Sequence, residues 1–215
     1  MKARRTKTAS RILEKSLDLF NRFGEPNVAP KAIAQALGMS PGNLYYHYPS
    51  KAELINALLG DYVQSIGRVL PAANDVQSVE DTWFFLHTLF ELIDAYRFLY
   101  RDMSDLLSKD RALEHQIKSL IAKKNTAFET TLHGLVRHHV MRIDGFDAKS
   151  LATCMTVLMT YWLSYEYIKN PRQALEPAYA EATLLQGAFH VLNLVSPYLM
   201  DESREHLRAL SKAYL

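Results

Sequence analysis

Apolar residues recur every three or four positions along most of the chain, the spacing that places them on one face of an α-helix. The pattern is clearest in residues 8–23, where one stripe is formed by Ile12, Leu13, Leu17, Phe20 and Phe23. No segment sustains the alternation of apolar and polar residues that is typical of half-buried β-strands. We therefore predict an all-α fold with about nine to ten helices.

Glycine, proline and serine residues mark the expected helix ends. Gly24 and Pro26 end the first helix and Gly38 ends the second, whereas Ser40 and Ser50 are placed to cap the third and fourth. No proline lies between residues 72 and 170, which leaves room for long helices. The helices predicted after the first are 30–37, 41–48, one that starts after residue 50, 79–100, 102–107, 110–142, 147–169, 176–194 and 202–214.

Positive charge is concentrated at the start of the chain. The first 51 residues carry nine Lys or Arg and three acidic residues, a net charge of +6. The other residues carry 16 Lys or Arg and 20 acidic residues, a net charge of −4. A basic module joined to a mildly acidic body is typical of proteins that bind nucleic acids.

The composition indicates a soluble globular protein, with 48% apolar and 22% charged residues. No apolar run reaches the roughly 18–20 residues of a membrane span, and no apolar core of a signal peptide follows the basic start. We therefore expect a cytoplasmic protein without a membrane partner. The single cysteine, Cys154, lies in an apolar helical segment. We expect it to be buried and inert, and a redox or intersubunit role is the alternative.

Residues 28–55 have the pattern of a helix-turn-helix. Gly38 supplies the turn, and Met39 fills the space between the two helices. Leu44 and Tyr48, one helical turn apart, hold the second helix on the core. The first helix of the pair packs through Ile33, Ala34 and Leu37. A short second helix with small residues at its start can enter the major groove of DNA by its N-terminus.

The side chains left on the outer face of that second helix suit DNA. Asn43 can bond a base edge, and tyrosine hydroxyls can bond phosphate while their rings pack on sugars or thymine methyl groups. A helix N-terminus attracts phosphate, and Gly42 permits close approach. The predicted DNA contacts are Arg4, Arg5, Lys7, Lys31, Ser40, Pro41, Gly42, Asn43, Tyr45, Tyr46, His47 and Lys51. The alternative is an aromatic helix that packs in the core without nucleic acid.

Two segments, RILEKSLDLFNRFG and IAQALGMSPGNLYYHYPSKAEL, resemble the DNA-binding domain of the TetR/AcrR family of bacterial regulators. The resemblance implies an all-α homodimer that binds a palindromic operator of double-stranded DNA. It also implies a C-terminal domain that binds a small molecule and then releases the DNA. On this basis residues 1–50 form the DNA-binding domain, and residues 51–215 form the ligand-sensing and dimerisation domain. The family positions that contact DNA correspond to Pro41, Gly42, Asn43, Tyr45, Tyr46, His47 and Lys51.

One position departs from the family pattern. Family members usually carry Thr or Ser near the start of the second helix, where the hydroxyl contacts phosphate, but this chain has Val28, Ala29 and Pro30. We expect that contact to be missing or to be supplied by Lys31. The departure motivates an alternative function, an all-helical lipid-binding or carrier protein without specific DNA binding.

The body of the chain supplies aromatic and methionine side chains that can line an adaptable apolar pocket. The predicted pocket residues are Phe84, Phe85, Phe98, Met103, Leu107, Met155, Met159 and Trp162, and plain core packing is the alternative for each. The segment YRFLYRDMSDLL resembles a family branch that senses fatty-acyl compounds, including regulators of polyhydroxyalkanoate metabolism. A small hydrophobic or acyl ligand is therefore expected. Its head group could pair with Arg97, Arg101, Lys123 or Lys124, unless these form a solvated helix face.

The last two long helices, 147–169 and 176–194, carry broad apolar faces that predict a homodimer with a four-helix interface. The residues expected there are Leu151, Val157, Leu158, Tyr161, Leu184, Leu185, Ala188, Phe189 and Leu192, with Gly187 allowing close approach. Enzymatic activity, a cofactor and a metal site are not expected. No catalytic or nucleotide-binding motif occurs, and His133 and His138 are five residues apart, a poor chelating distance on a helix.

Overall fold

Helices account for the secondary structure of the computed structural model, which describes residues 5–173 and 177–211. Eleven α-helices lie in these residues: α1 (Lys7–Phe23), α2 (Pro30–Ala36), α3 (Pro41–His47), α4 (Lys51–Val69), α5 (Val79–Ala95), α6 (Arg97–Arg101), α7 (Met103–Lys109), α8 (Arg111–Arg137), α9 (Gly145–Lys169), α10 (Pro177–Asn193) and α11 (Asp201–Ser211). The described residues contain no sheet, and the predicted all-α fold is confirmed.

Three of the first four helices, α1, α3 and α4, begin at a side-chain cap, and all four lie within a residue or two of their predicted bounds. Thr6 Oγ1 accepts a hydrogen bond from the amide of Ala9 at the start of α1. Ser40 caps α3 through the amide of Asn43, and Ser50 caps α4 in the same way. Each cap satisfies one of the amide groups that a helix start leaves without an intrahelical partner.

The predicted helix 79–100 is wrong as a single helix, because the chain breaks at Tyr96. The cause is Asn21 of α1. Its side-chain amide donates to the carbonyl of Ala95 at 2.9 Å and accepts from the amide of Phe98 at 3.2 Å. Asn21 thus replaces hydrogen bonds that a continuous helix would make within itself, and two helices, α5 and α6, result.

The long helix predicted over 110–142 ends early, at Arg137. His139 has a φ of 59°, in the left-handed region, and turns the chain out of the helix. The next residues pair with the segment before α11. The amide of Arg142 donates to the carbonyl of Tyr198 at 2.9 Å, and the amide of Met200 donates to Val140 at 3.0 Å. Two predicted helix ends, the start of 176–194 and the end of 202–214, lie outside the described residues.

One continuous core joins the N-terminal helices to the body. Among the largest fully buried side chains are Phe20 of α1, Tyr62 of α4, Phe90 of α5, Phe98 of α6 and Phe128 of α8. Each apolar side chain of this size contributes about 1.5–3 kcal/mol when it is removed from water. Among the described residues, no helix has the length and apolar character needed to cross a membrane.

Candidate nucleic-acid interface and ligand core

A tight turn joins α2 to α3. Gly38 has a φ of 64°, a conformation that costs glycine little, and its amide donates to the carbonyl of Gln35. The amide of Met39 then donates to the carbonyl of Ala34 at 3.0 Å. Met39 packs partly buried against the core, and Leu44 is fully buried, so the inner face of α3 is anchored as predicted.

The outer face of α3 is open to solvent. Pro41, Gly42 and Asn43 are exposed, and the exposed fractions of Tyr45 and Tyr46 are 45% and 83%. His47 is half-buried, with its ring 5.2 Å from that of Tyr46. Because these tyrosines contribute little to the core, the alternative of a core-packing aromatic helix is wrong for them.

Two of the predicted DNA-binding cations already have protein partners. Lys51 Nζ lies 2.7 Å from Oε1 of Glu25 and also donates to the Glu25 carbonyl at 2.6 Å. Arg5 forms an ion pair with Asp61 of α4, and this hydrogen bond raises the pKa of the guanidinium. Lys7 and Lys31 are exposed, and Arg4 lies outside the described residues.

A polar network fixes α1 against α6, and sequence reasoning missed most of it. Arg101 donates to the carbonyl of Phe20 at 3.1 Å, and the carboxylate of Asp102 accepts from the amide of Glu25 at 3.3 Å. The rings of Phe20 and Phe98 lie 5.3 Å apart. Asn21 completes the network. The sequence signal that could have indicated it is its position, four residues after Leu17, which places a polar residue on the apolar stripe of the helix.

The predicted pocket residues are distributed through the body. Six are buried, which are Phe85, Phe98, Met103, Met155, Met159 and Trp162. Leu107 is half-buried, and Phe84 is 65% exposed. A cavity of about 30 Å³ lies beside Arg97, Arg101 and Thr183, enough for one or two water molecules. This cavity is too small for a ligand of ordinary drug size, whose pockets measure about 300–1,000 Å³.

The four cations considered for a ligand head group have different environments. Arg97 pairs with Asp94 at 3.2 Å, and Arg101 is held by Phe20 and Asp102. Lys123 is exposed on α8, as a solvated helix face predicts.

Lys124 is only 1% exposed, so the solvated-face alternative is wrong for it. Its ammonium donates to the hydroxyl of Tyr100, which is in turn hydrogen-bonded to the hydroxyl of Tyr62. Burial lowers the pKa of Lys124 from 10.5 to about 7 and raises the pKa values of both tyrosines.

Comparison with known proteins identifies both parts of the chain. Residues 12–58 match the family of bacterial regulatory proteins named tetR, and residues 61–207 match a family described as a bacterial transcriptional repressor, TetR. The chain belongs to the TetR family. The resemblance drawn from the helix-turn-helix segment is therefore confirmed.

Individual TetR-family proteins match over different extents. A TetR-family regulator of known structure from Marinobacter aquaeolei VT8 is 30% identical with a TM-score of 0.85, covering 97% of this chain and 99% of that one. The regulator UidR of Escherichia coli is 38% identical over 52 residues, which are 24% of this chain and only 26% of UidR. IcaR of Staphylococcus epidermidis, a negative regulator of a biofilm operon, is 23% identical over 71% of this chain and 80% of its own.

In this TetR-family chain, the outward face of α9 carries exposed apolar side chains, which we call the α9 stripe. The stripe consists of Cys154, Val157, Tyr161, Tyr165 and Ile168. The predicted burial of Cys154 is wrong, because its position on α9 faces away from the core. A groove of about 550 Å³ runs beside the stripe, between α9 and α10.

Several residues expected at a dimer interface pack inside the chain instead. Leu151, Ala188 and Leu192 are buried. A Cβ atom added at Gly187 would lie 2.6 Å from the Phe90 ring and 2.7 Å from the Trp162 ring, so the close approach at Gly187 joins α10 to α5 and α9. Periodicity could not separate these inward residues from the outward ones, because both helices are apolar on more than one side.

Proposed function

We propose that this chain is a ligand-responsive DNA-binding transcriptional regulator, a repressor that binds a palindromic operator as a homodimer. The observation that carries the proposal is the outer face of α3. It presents two exposed tyrosines and an asparagine on a short, serine-capped helix whose inner face is locked to the core. A helix held in this way can enter the major groove without moving the residues behind it.

The contacts proposed for α3 follow from its exposed groups. Asn43 reads a base edge, and Tyr45 and Tyr46 contact sugar and phosphate. A Cβ atom added at Gly42 would meet only Ser40 Oγ, at 3.9 Å. Since neither packing nor a positive φ within the chain requires glycine there, its small size favours close approach by a phosphate.

The basic residues divide into two groups in this proposal. Lys7 and Lys31 are exposed and neutralise phosphates directly. Lys51 and Arg5, which are paired with Glu25 and Asp61, act first by tying the segment between α1 and α2 and the segment before α1 to α4. Lys51 remains 25% exposed in its side chain, so it can also approach a phosphate from the start of α4.

The homodimer is proposed to form through α9 and α10. The α9 stripe and the adjoining groove are an apolar surface of the kind that proteins cover by association. Two copies related by a two-fold axis would bury the stripe in a four-helix interface, and the axis would match the two-fold symmetry of an operator.

An all-helical lipid carrier without specific DNA binding is the second candidate. It is favoured by the start of α2, where Ala29 occupies the cap position and offers no side-chain hydrogen bond. This candidate predicts weak, sequence-independent binding to DNA, if any, together with retention of a small apolar or acyl ligand.

Binding of labelled DNA from the intergenic region beside the protein's own gene separates the two candidates. The regulator binds this DNA more tightly than random DNA of equal length, and its affinity falls as the salt concentration rises. Tyr46→Ala should weaken this binding at least about tenfold, from the loss of one phosphate or sugar contact of about 1.4 kcal/mol.

Ile121→Ala is the control, because Ile121 is also an exposed apolar residue, with an exposed fraction of 36%, but lies on α8, outside α3 and outside the proposed α9–α10 interface. Its affinity for DNA should equal that of the wild type. Equal losses in the two variants, or no preference of the wild type for the intergenic DNA, would contradict the regulator.

A further inference from the structure

Lys124 is a buried cation for which the described residues supply no carboxylate partner. Its side chain is 1% exposed, and the ion pairs of the described residues do not include it. The hydroxyl of Tyr100 accepts its hydrogen bond, and the Tyr100 ring centroid lies 4.7 Å from Nζ. A buried ammonium with a neutral partner is costly, so this amine is not explained by the stability of the fold.

The surroundings of Lys124 suit the tail of an apolar molecule. Leu120 and Phe128, one helical turn before and after it on α8, are both buried. The amine donates to the phenol of Tyr100, which in turn shares a hydrogen bond with the phenol of Tyr62, so these three groups form a small polar cluster among buried apolar side chains. This arrangement can accept one negative charge and two hydrogen-bond acceptors, which are the features of a carboxylate.

The partner of Lys124 belongs to a helix that also contacts the DNA-binding end. Tyr100 lies on α6, which has only five residues. The next residue, Arg101, donates to the carbonyl of Phe20 in α1, and Phe98 packs on the ring of Phe20. Tyr100 lies within two residues of both side chains of α6 that contact α1. A shift of Tyr100 would therefore be transmitted to α1.

We propose that Lys124 binds the carboxylate of an apolar organic acid, and that this acid is the regulatory ligand. A carboxylate oxygen that inserts between the amine and the phenol of Tyr100 increases their separation and moves α6 against α1. The inference rests on the proposed regulator for its consequence, release of DNA, but not for the binding of the acid. One buried cation balances one carboxylate, which favours a monoanion over a phosphate dianion.

The test measures binding of saturated fatty acids of four to sixteen carbons, and of the matching primary alcohols, by isothermal titration calorimetry on the full chain. The wild type should bind at least one acid about tenfold or more tightly than its alcohol. Lys124→Met, which keeps an unbranched side chain one atom shorter and removes the charge, should abolish this preference. Lys123→Met, the exposed neighbour on α8, should retain it. Circular dichroism spectra establish that both variants fold.

Three outcomes overturn the proposal. These are no saturable binding of any acid by the wild type, equal affinity for acids and alcohols, and an acid preference that survives in Lys124→Met. Binding of intergenic DNA, measured in parallel, keeps the two proposals separate. A chain that binds DNA but shows no acid preference loses only this inference. A chain that prefers acids through Lys124 but binds no DNA loses only the regulator.

Discussion

The outer face of α3 and the buried centre around Lys124 are two places where polar side chains are not explained by folding. On α3 the unexplained groups are exposed, and their neighbours behind them form ordinary core. Around Lys124 the unexplained group is buried, and its neighbours are phenols. The difference teaches that a surface site costs the fold little, whereas a buried site must lower stability to exist.

The largest expected effect separates the two faces of α3. Leu44→Ala removes a fully buried side chain and should lower the free energy of unfolding by about 2–5 kcal/mol, because a cavity remains. Tyr46→Ala should change it by less than about 0.5 kcal/mol, since Tyr46 is 83% exposed. Urea denaturation measures both values. A large destabilisation by Tyr46→Ala would mean that the outer face is structural after all.

The next effect concerns the buried centre. Lys124→Met should raise the free energy of unfolding at pH 7 by about 1–4 kcal/mol, because it removes a costly buried amine. Burial lowers the pKa of Lys124 from 10.5 to about 7, so the unfolded chain binds a proton that the native chain does not between these values. The wild type should therefore gain stability relative to the variant as the pH rises from about 7 to 10.5.

Denaturation of both proteins across this pH range checks the direction. The phenol of Tyr100, which accepts from the amine, and the phenol of Tyr62, which is hydrogen-bonded to Tyr100, have raised pKa values and stay neutral in the native state. Lys123→Met serves as the control, since it removes the exposed neighbouring lysine and leaves the buried amine of Lys124 in place. A gap between the wild type and Lys124→Met that widens with rising pH would contradict the burial argument.

A third prediction concerns the connection between the two regions. Asn21→Ala leaves the carbonyl of Ala95 and the amide of Phe98 without their partner and should cost about 1–3 kcal/mol. Asn27→Ala is the control, because Asn27 makes one exposed hydrogen bond, to the carbonyl of Phe23. Its cost should be less than about 1 kcal/mol. Equal losses of unfolding free energy in the two variants would show that the hydrogen bonds from Asn21 to the α5–α6 bend do not stabilise the fold more than an exposed hydrogen bond does.

The smallest expected effect is on the cap of α3. Ser40→Ala removes the hydrogen bond from the amide of Asn43 to the serine oxygen and should cost about 1 kcal/mol. Ser40→Gly should lower the free energy of unfolding by only a few tenths of a kcal/mol. If Ser40 also contacts phosphate, the loss of DNA affinity in Ser40→Ala will exceed the loss in stability, and a binding titration will reveal the excess.

The sequence predicted the local features of the fold well, because capping and turn chemistry act over three or four residues. Ser40, Ser50 and Gly38 lie where they were expected and act as expected. The face of α3 was predictable for the same reason, since the positions of Leu44 and Tyr48 determine which side is outward.

The features that sequence reasoning missed depend on distant contacts. Asn21 breaks a helix that begins 58 positions later in the chain, at Val79, and no local rule indicates this. Cys154 was predicted to be buried but is exposed, and the sequence left open whether Lys124 is buried or solvated. A broadly apolar helix and a long amphipathic helix both leave the depth of one residue undecided.

The bridge made by Asn21 means that the bend between α5 and α6 is encoded in α1. The carbonyl of Ala95 and the amide of Phe98 are satisfied there only while α1 is docked. A chimera that joins a DNA-binding end from another family member to this body would need asparagine at the same position to keep the bend between α5 and α6. The two halves of the molecule are thus not interchangeable modules, because one supplies the hydrogen bonds that shape the other.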